Sequence, residues 1–127
     1  MKKRVLLVED DAPSRELMLD WLKGEGFEAQ AASDLASARA AIVQATPDAV
    51  LLDVGLGGQN GLDLAAWMRR QAPLVSVPVI AVTGHAMLLD RERILKLGCN
   101  DSIFKPVDFS KLRRCLARWL HGVKVAS

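Results

Sequence analysis

Residues 49–58 read AVLLDVGLGG. An unbroken apolar run ends in one carboxylate, Asp53, and then gives way to glycine. Apolar residues without polar alternation suit a strand covered on both faces, the habit of parallel sheets sandwiched by helices. An ionised carboxylate at the tip of such a strand is costly unless solvent or arranged partners meet it. What meets Asp53 is therefore the question that the rest of the chain has to answer.

Outward from this strand, similar runs alternate with helical patterns. RVLLV (4–8) is a second continuous strand, followed by DAPSRELMLDWLKGEG, with Pro13 near a helix start and Gly24 or Gly26 as its stop. Leu17, Met18, Trp21 and Leu22 form the apolar stripe expected of that helix. FEAQA (27–31) is a weaker strand, and Asp34 is an expected N-cap for an alanine-rich helix reaching about Gln44. Gly61 opens a helix that turns Leu64, Trp67 and Met68 inward. VPVIAVT (77–83) is the fourth strand, with a helix over roughly 86–97 ended by Gly98. DSIF (101–104) is the fifth, and a last helix from Phe109 to about Leu120 buries Phe109, Leu112, Leu116 and Trp119.

The order is (βα)5, which predicts an α/β fold with a doubly wound parallel sheet of flavodoxin-like strand order 2-1-3-4-5. Such sheets place ligands at the carboxyl ends of their strands. A length of 127 residues suits one domain, here expected as 1–127 with a core of about 4–120 and a short tail over 121–127. Half of the residues are hydrophobic and a quarter charged, an ordinary globular profile. No stretch has the length of a membrane span, and the early acidic turn is unlike a signal peptide. Cys99 and Cys115 are too few for a disulfide framework, so a reduced, cytoplasmic setting is expected. Charge is uneven: residues 1–104 carry 11 Lys/Arg against 14 Asp/Glu, and residues 105–127 carry six against one. A basic last helix is either a solvated face or a surface for an acidic partner or nucleic acid. Aromatic and basic residues are not interleaved as on a nucleic-acid platform, and no direct nucleic-acid contact is expected.

The strand ends carry the chemistry. The first ends in Glu9, Asp10 and Asp11, the third in Asp53, the fourth in Thr83 and the fifth in Lys105-Pro106. Two carboxylates repel by roughly 4 kcal/mol at about 4 Å with an effective dielectric near 20, which a cation among them relieves. An all-oxygen cluster suits Mg2+. Lys105 adds positive charge and Thr83 a hydroxyl donor for an added phosphoryl oxygen. These parts suit phosphoryl transfer, with Asp53 as the nucleophile that becomes an aspartyl phosphate.

This order of E-D-D, D, T and K-P closely resembles the receiver domain of two-component response regulators, the CheY-like family, over essentially the whole chain. The stretch AVTGHAMLLDRERILKLGC further resembles the DivK-like single-domain type. The resemblance implies that Asp53 is the phosphoacceptor, that Asp10, Asp53 and the Gly55 carbonyl hold Mg2+, and that Glu9 acts mainly through water. It implies that Lys105 pairs with the phosphoryl group, that the Lys105–Pro106 bond is cis, and that Gly61 is the glycine opening the third helix. Asp11, one place beyond the acidic pair, reads instead as a helix cap. The implied donor is a histidine kinase or histidine phosphotransfer protein. The implied output is a downstream protein bound through the fourth helix, fifth strand and fifth helix, by a monomer or weak dimer without membrane contact.

Two positions depart from the pattern: Ser102, and Gly57, which stands where receivers commonly have proline. Ser102 stands where the family usually has an aromatic residue. Phe104, two further on, shares its face by strand alternation and either stands in for that aromatic or packs the sheet edge. The glycines at 55, 57 and 58 predict a mobile loop ordered by metal or phosphate. His85, two after Thr83, is either a base acting on water near the phosphate or polar surface. Competing readings are a receiver cut from a hybrid histidine kinase, a phosphate-independent scaffold, and an Asp-nucleophile phosphatase. The last is opposed by Gly55 in place of a second catalytic Asp.

Overall fold

The computed structural model describes residues 2–84 and 88–120. In chain order the elements are β1 (Arg4–Val8), α1 (Ala12–Gly24), β2 (Glu28–Ala32), α2 (Leu35–Gln44), β3 (Ala49–Asp53), β4 (Gly55–Leu56), β5 (Gln59–Asn60), α3 (Leu62–Arg69), β6 (Val79–Thr83), α4 (Leu88–Lys96), β7 (Asp101–Phe104) and α5 (Phe109–Trp119). The main sheet is parallel in the order β2-β1-β3-β6-β7. With the two-residue strands β4 and β5 set aside, this is the expected 2-1-3-4-5 order.

The strand pleat sorts the core into two layers. Leu6, Val8, Val50, Leu52, Val79 and Ala81 face Ala38 and Ile42 of α2, Leu64 and Met68 of α3, and Ile94 of α4. Val5, Leu7, Ala49, Leu51, Ile80 and Ile103 face Met18 and Leu22 of α1 and Leu112 and Leu116 of α5. Every residue of β3 and β6 is buried, as their unbroken apolar runs require. Asp11, Asp34 and Asp108 cap α1, α2 and α5, their carboxylates accepting backbone N–H groups of the first turn at 2.7–3.3 Å. The cap reading of Asp11 and Asp34 holds.

Several local expectations shift. Leu17 is 60% exposed: Met18 and Leu22, four apart, take the buried line of α1, and a residue one position away is turned off it by about a quarter of a turn. Trp21 is half-buried, stacked at 5.0 Å on Phe109. Trp67 is also half-buried, with the Arg39 guanidinium over its ring. Strand β2 begins one residue later than expected because Phe27 is drawn under the sheet and buried. The glycine segment is not an open loop. Gly55 pairs with Asn60 and Leu56 with Gln59 in an antiparallel hairpin, and Gly57 and Gly58 turn it with φ of +44° and +94°. Positive φ at both central residues is the type I′ arrangement that fits the strand twist.

Candidate functional site

Register places the charged residues side by side. Val8 pairs with Leu52, so one step further along the two strands Glu9 stands beside Asp53. Glu9, Asp53 and Lys105 each lie two residues beyond an inward residue of the α1/α5 layer (Leu7, Leu51 and Ile103). Alternation therefore turns all three to the same side of the sheet. Thr83, two beyond Ala81, belongs to the opposite layer and is buried.

The Lys105 ammonium donates to Asp53 Oδ2 at 3.1 Å and to Glu9 Oε1 at 3.2 Å. Burial works against that ammonium, but the Asp53 and Glu9 carboxylates outweigh it and hold its pKa above the usual lysine range. Glu9 is 1% exposed. Burial first, and the neighbouring Asp53 carboxylate second, push Glu9 up to about 7 against the pull of Lys105. Its second oxygen, Oε2, is buried without a hydrogen-bond partner. Asp10 is exposed at the rim. One carboxylate oxygen from each of Glu9, Asp10 and Asp53 lies within 4.8 Å of the others. Three convergent carboxylate oxygens, one of them orphaned, fit a hard divalent cation with oxygen preference.

Backbone hydrogen bonds hold these groups in place. Arg15 reaches back from α1 to the carbonyls of Glu9 and Asp10 at 3.1 and 3.3 Å. The Gly55 N–H donates to Asp53 Oδ1 at 3.1 Å. Gln59 of the hairpin accepts from the Leu35 N–H at the start of α2 at 3.2 Å, which ties the glycine turn to the body of the fold. Gly61 donates to the Val54 carbonyl at 2.8 Å and packs directly on the Asp53 backbone.

The other expected positions fall as follows. The Lys105–Pro106 bond is cis. Ser102 is buried, and Phe104 is half-buried and stands next to Thr83 in register. Both line a groove between α4 and α5. His85 lies outside the described residues. Sequence reasoning missed Arg15, Arg69, Asn100 and Asp101. The Arg69 guanidinium donates to the carbonyls of Gly98, Leu74 and Val77 and to Asn100 Oδ1 at 2.7–3.1 Å, lacing the far end of α3 to the start of β7. Asp101 gathers the Trp119 indole, the Cys115 thiol and the Ser102 N–H. None of these contacts leaves a spacing signal, because their partners are backbone carbonyls or side chains distant in sequence.

A doubly wound parallel sheet with three carboxylates and a lysine at its carboxyl edge defines the α/β receiver modules of phosphorelay signalling. Residues 5–117 match the family model described as the response regulator receiver domain, and the chain belongs to that family. The polar-differentiation response regulator DivK of Brucella anthropi is 32% identical over 120 residues, covering 94% of this chain and 98% of DivK. The phosphate regulon transcriptional regulatory protein PhoB of Klebsiella pneumoniae is 38% identical over 106 residues, covering 84% of this chain and 46% of PhoB. The chain thus spans about half the length of PhoB. Among solved structures, the receiver domain of the sensor histidine kinase PA1611 from Pseudomonas aeruginosa aligns with a TM-score of 0.86 and 31% identity, over 94% of this chain and 98% of that one. It was solved with magnesium coordinated in its active-site cleft. Among the described residues no helix is long and apolar enough to cross a membrane.

Proposed function

We propose that this receiver domain is phosphorylated on Asp53, with Mg2+ bound, and that the modification changes how it binds a downstream protein. The observation that carries this reading is the Asp53 carboxylate, 7% exposed, held 3.1 Å from the Lys105 ammonium beside two further carboxylates. Asp10, Asp53 and the Gly55 carbonyl would hold the cation directly and Glu9 through water, as the magnesium-bound PA1611 receiver supports. When bound, the ion supplies charge neutralisation for the carboxylates and the incoming phosphoryl oxygens.

The remaining chemistry belongs to the chain. An Asp53 oxygen attacks the phosphorus of a phosphohistidine on a histidine kinase or phosphotransfer protein. The new O–P bond forms as the P–N bond breaks, and the imidazole leaves after taking a proton. Lys105 moves from pairing with the free carboxylate to pairing with the phosphoryl group. Thr83 donates its hydroxyl to a phosphoryl oxygen, so the added charge is read by the opposite layer of the sheet. Phe104, beside Thr83 in register, is placed to couple that hydroxyl to the edge of the sheet.

Intact-mass spectrometry after incubation with acetyl phosphate and Mg2+ tests this reading. One phosphoryl group is expected on the wild type, mapped to Asp53, and none on Asp53→Asn. An adduct at another residue, or no adduct on the wild type, overturns it.

A further inference from the structure

The hairpin of β4 and β5 touches two of the three clustered carboxylates. At its base the Gly55 N–H donates to Asp53 Oδ1 at 3.1 Å. At its tip an ideal Cβ on Gly57 would lie 2.8 Å from Asp10 Oδ2, closer than real Cβ contacts come. The next atom, the Asp10 carboxyl carbon, would lie 3.9 Å away. Among the described residues, the Asp10 carboxylate alone therefore stands in the space that a side chain at 57 would need.

The hairpin is the fixed partner in this contact and the carboxylate the movable one. Leu56, between the two glycines, is 3% exposed and packs in the core layer of α2, α3 and α4. Gly55 pairs with Asn60 across the hairpin. Gln59 accepts the Leu35 N–H at 3.2 Å and Asn60 Oδ1 accepts the Leu62 N–H at 3.0 Å, so the outer arm is tied to both α2 and α3. Asp10 is exposed, and its side chain can turn into solvent although Arg15 holds its carbonyl at 3.3 Å. A methyl group at 57 would thus be answered by movement of Asp10. Shifting Oδ2 from 2.8 Å to ordinary contact at 3.4 Å moves it by about 0.6 Å, a large error for Mg2+, which demands near-octahedral ligands at about 2.0–2.1 Å.

We infer that Gly57 is a positioning residue of the divalent-cation centre: its bare Cα leaves the place in which the Asp10 carboxylate stands with those of Glu9 and Asp53. This rests on the reading of Asp10 and Asp53 as Mg2+ ligands and extends it to a residue that contributes no ligand atom. The buried Glu9 Oε2, unpaired in the same cluster, points independently to a cation there.

Gly58 supplies the matched control. Both glycines have positive φ, +44° at 57 and +94° at 58. The first lies near the left-handed region that alanine enters at modest cost and the second well outside it. Nothing stands within 4 Å of a Cβ on Gly58. Alanine at 58 therefore strains the turn at least as much, and only alanine at 57 also meets Asp10.

The test titrates Mg2+ and, separately, Ca2+ into the metal-free full chain, with affinity read from the rise of Tm with ion concentration. Urea midpoints are measured without divalent ions. Gly57→Ala is expected to weaken Mg2+ about tenfold or more, and Gly58→Ala to stay within about twofold of wild type although its urea midpoint falls at least as far. Ca2+, with longer bonds and more flexible coordination, is expected to lose less affinity than Mg2+ in Gly57→Ala, because the charges around the site are unchanged. Equal Mg2+ affinity in the two variants overturns the inference, and so does a Gly57→Ala loss that is the same for both ions. A wild type that binds no Mg2+ overturns the reading of the metal site itself and the role of Gly57 with it, a result distinct from either of those.

Discussion

Adding one methyl group at position 61 should damage the fold more than any other glycine-to-alanine change on the site's edge. An ideal Cβ on Gly61 would lie 2.3 Å from the Asp53 carbonyl oxygen, 3.1 Å from the Val54 Cα and 3.2 Å from the Asp53 carbonyl carbon. Comfortable non-bonded separation is roughly 3.5 Å, so the closest contact must open by about 1 Å. All three obstacles are backbone, and no rotamer relieves them. That backbone is pinned by the Gly61 N–H to Val54 carbonyl bond at 2.8 Å and the Val54 N–H to Val82 carbonyl bond at 3.1 Å. Torsional strain plays no part, because Gly61 has φ −57° and ψ −28°, ordinary helical values. Overpacking typically costs about 1–3 kcal/mol, and an immovable wall places Gly61→Ala near the upper end, about 3 kcal/mol. With a urea m-value of roughly 1–3 kcal/mol/M, the denaturation midpoint should fall by about 1–3 M. Gly24→Ala is the control: nothing stands within 4 Å of its Cβ, and within α1 the change should be neutral or stabilising by up to about 1 kcal/mol. A Gly61→Ala midpoint within error of wild type would refute the steric account.

Three further outcomes follow from the same contacts. Because Glu9 is raised from 4.5 to about 7, the folded state holds a proton between those values that the unfolded chain releases. Without divalent ions, stability should therefore fall as pH rises through that window. Glu9→Gln should flatten the slope in thermal melts, and the stabilisation given to the wild type by Mg2+ should grow with pH as ion and proton compete; a wild-type slope of opposite sign would contradict this. Asn100→Ala removes the acceptor shared by Arg69 at 2.7 Å and the Val79 N–H at 2.8 Å, and should cost about 1–3 kcal/mol by chemical denaturation. Burial pushes both thiols up to about 12, helped at Cys115 by Asp101, so iodoacetamide at pH 8 should label the native chain far more slowly than the denatured one.

The elements were legible wherever a local physical demand coincided with the tertiary one. AVLLD and VIAVT admit little but buried strands, and Asp34 before an alanine-rich run admits little but a cap. Reading failed where one residue of phase mattered, as at Leu17 and the start of β2, because periodicity constrains a helix face only to about a quarter turn. The hairpin at Gly57-Gly58 was available in principle, since a glycine pair between two short arms is a turn signal. The same glycines also read as looseness, and only the pairing across Gly55–Asn60 shows that they turn a hairpin. The clamps at Arg69 and Asp101 were beyond reach, because a guanidinium that binds carbonyls has no sequence partner to find.

The site itself was legible for a reason that lies in strand geometry. Glu9, Asp53 and Lys105 each follow an inward core residue by two, and β1 and β3 run parallel in a register that continues from Val8–Leu52 to Glu9 beside Asp53. One side of the sheet therefore collects two carboxylates and an ammonium at its end without any residue being placed individually. Thr83, of the opposite parity, is left to face the other layer, where α4 packs through Ile94. Inserting one residue between Val8 and Glu9 would leave the composition of the site unchanged and turn Glu9 across the sheet, away from Lys105. The grouping of these side chains thus depends on phase along the strand as much as on residue type, which is why an ordered set of strand-end residues is informative where any one of them alone is not.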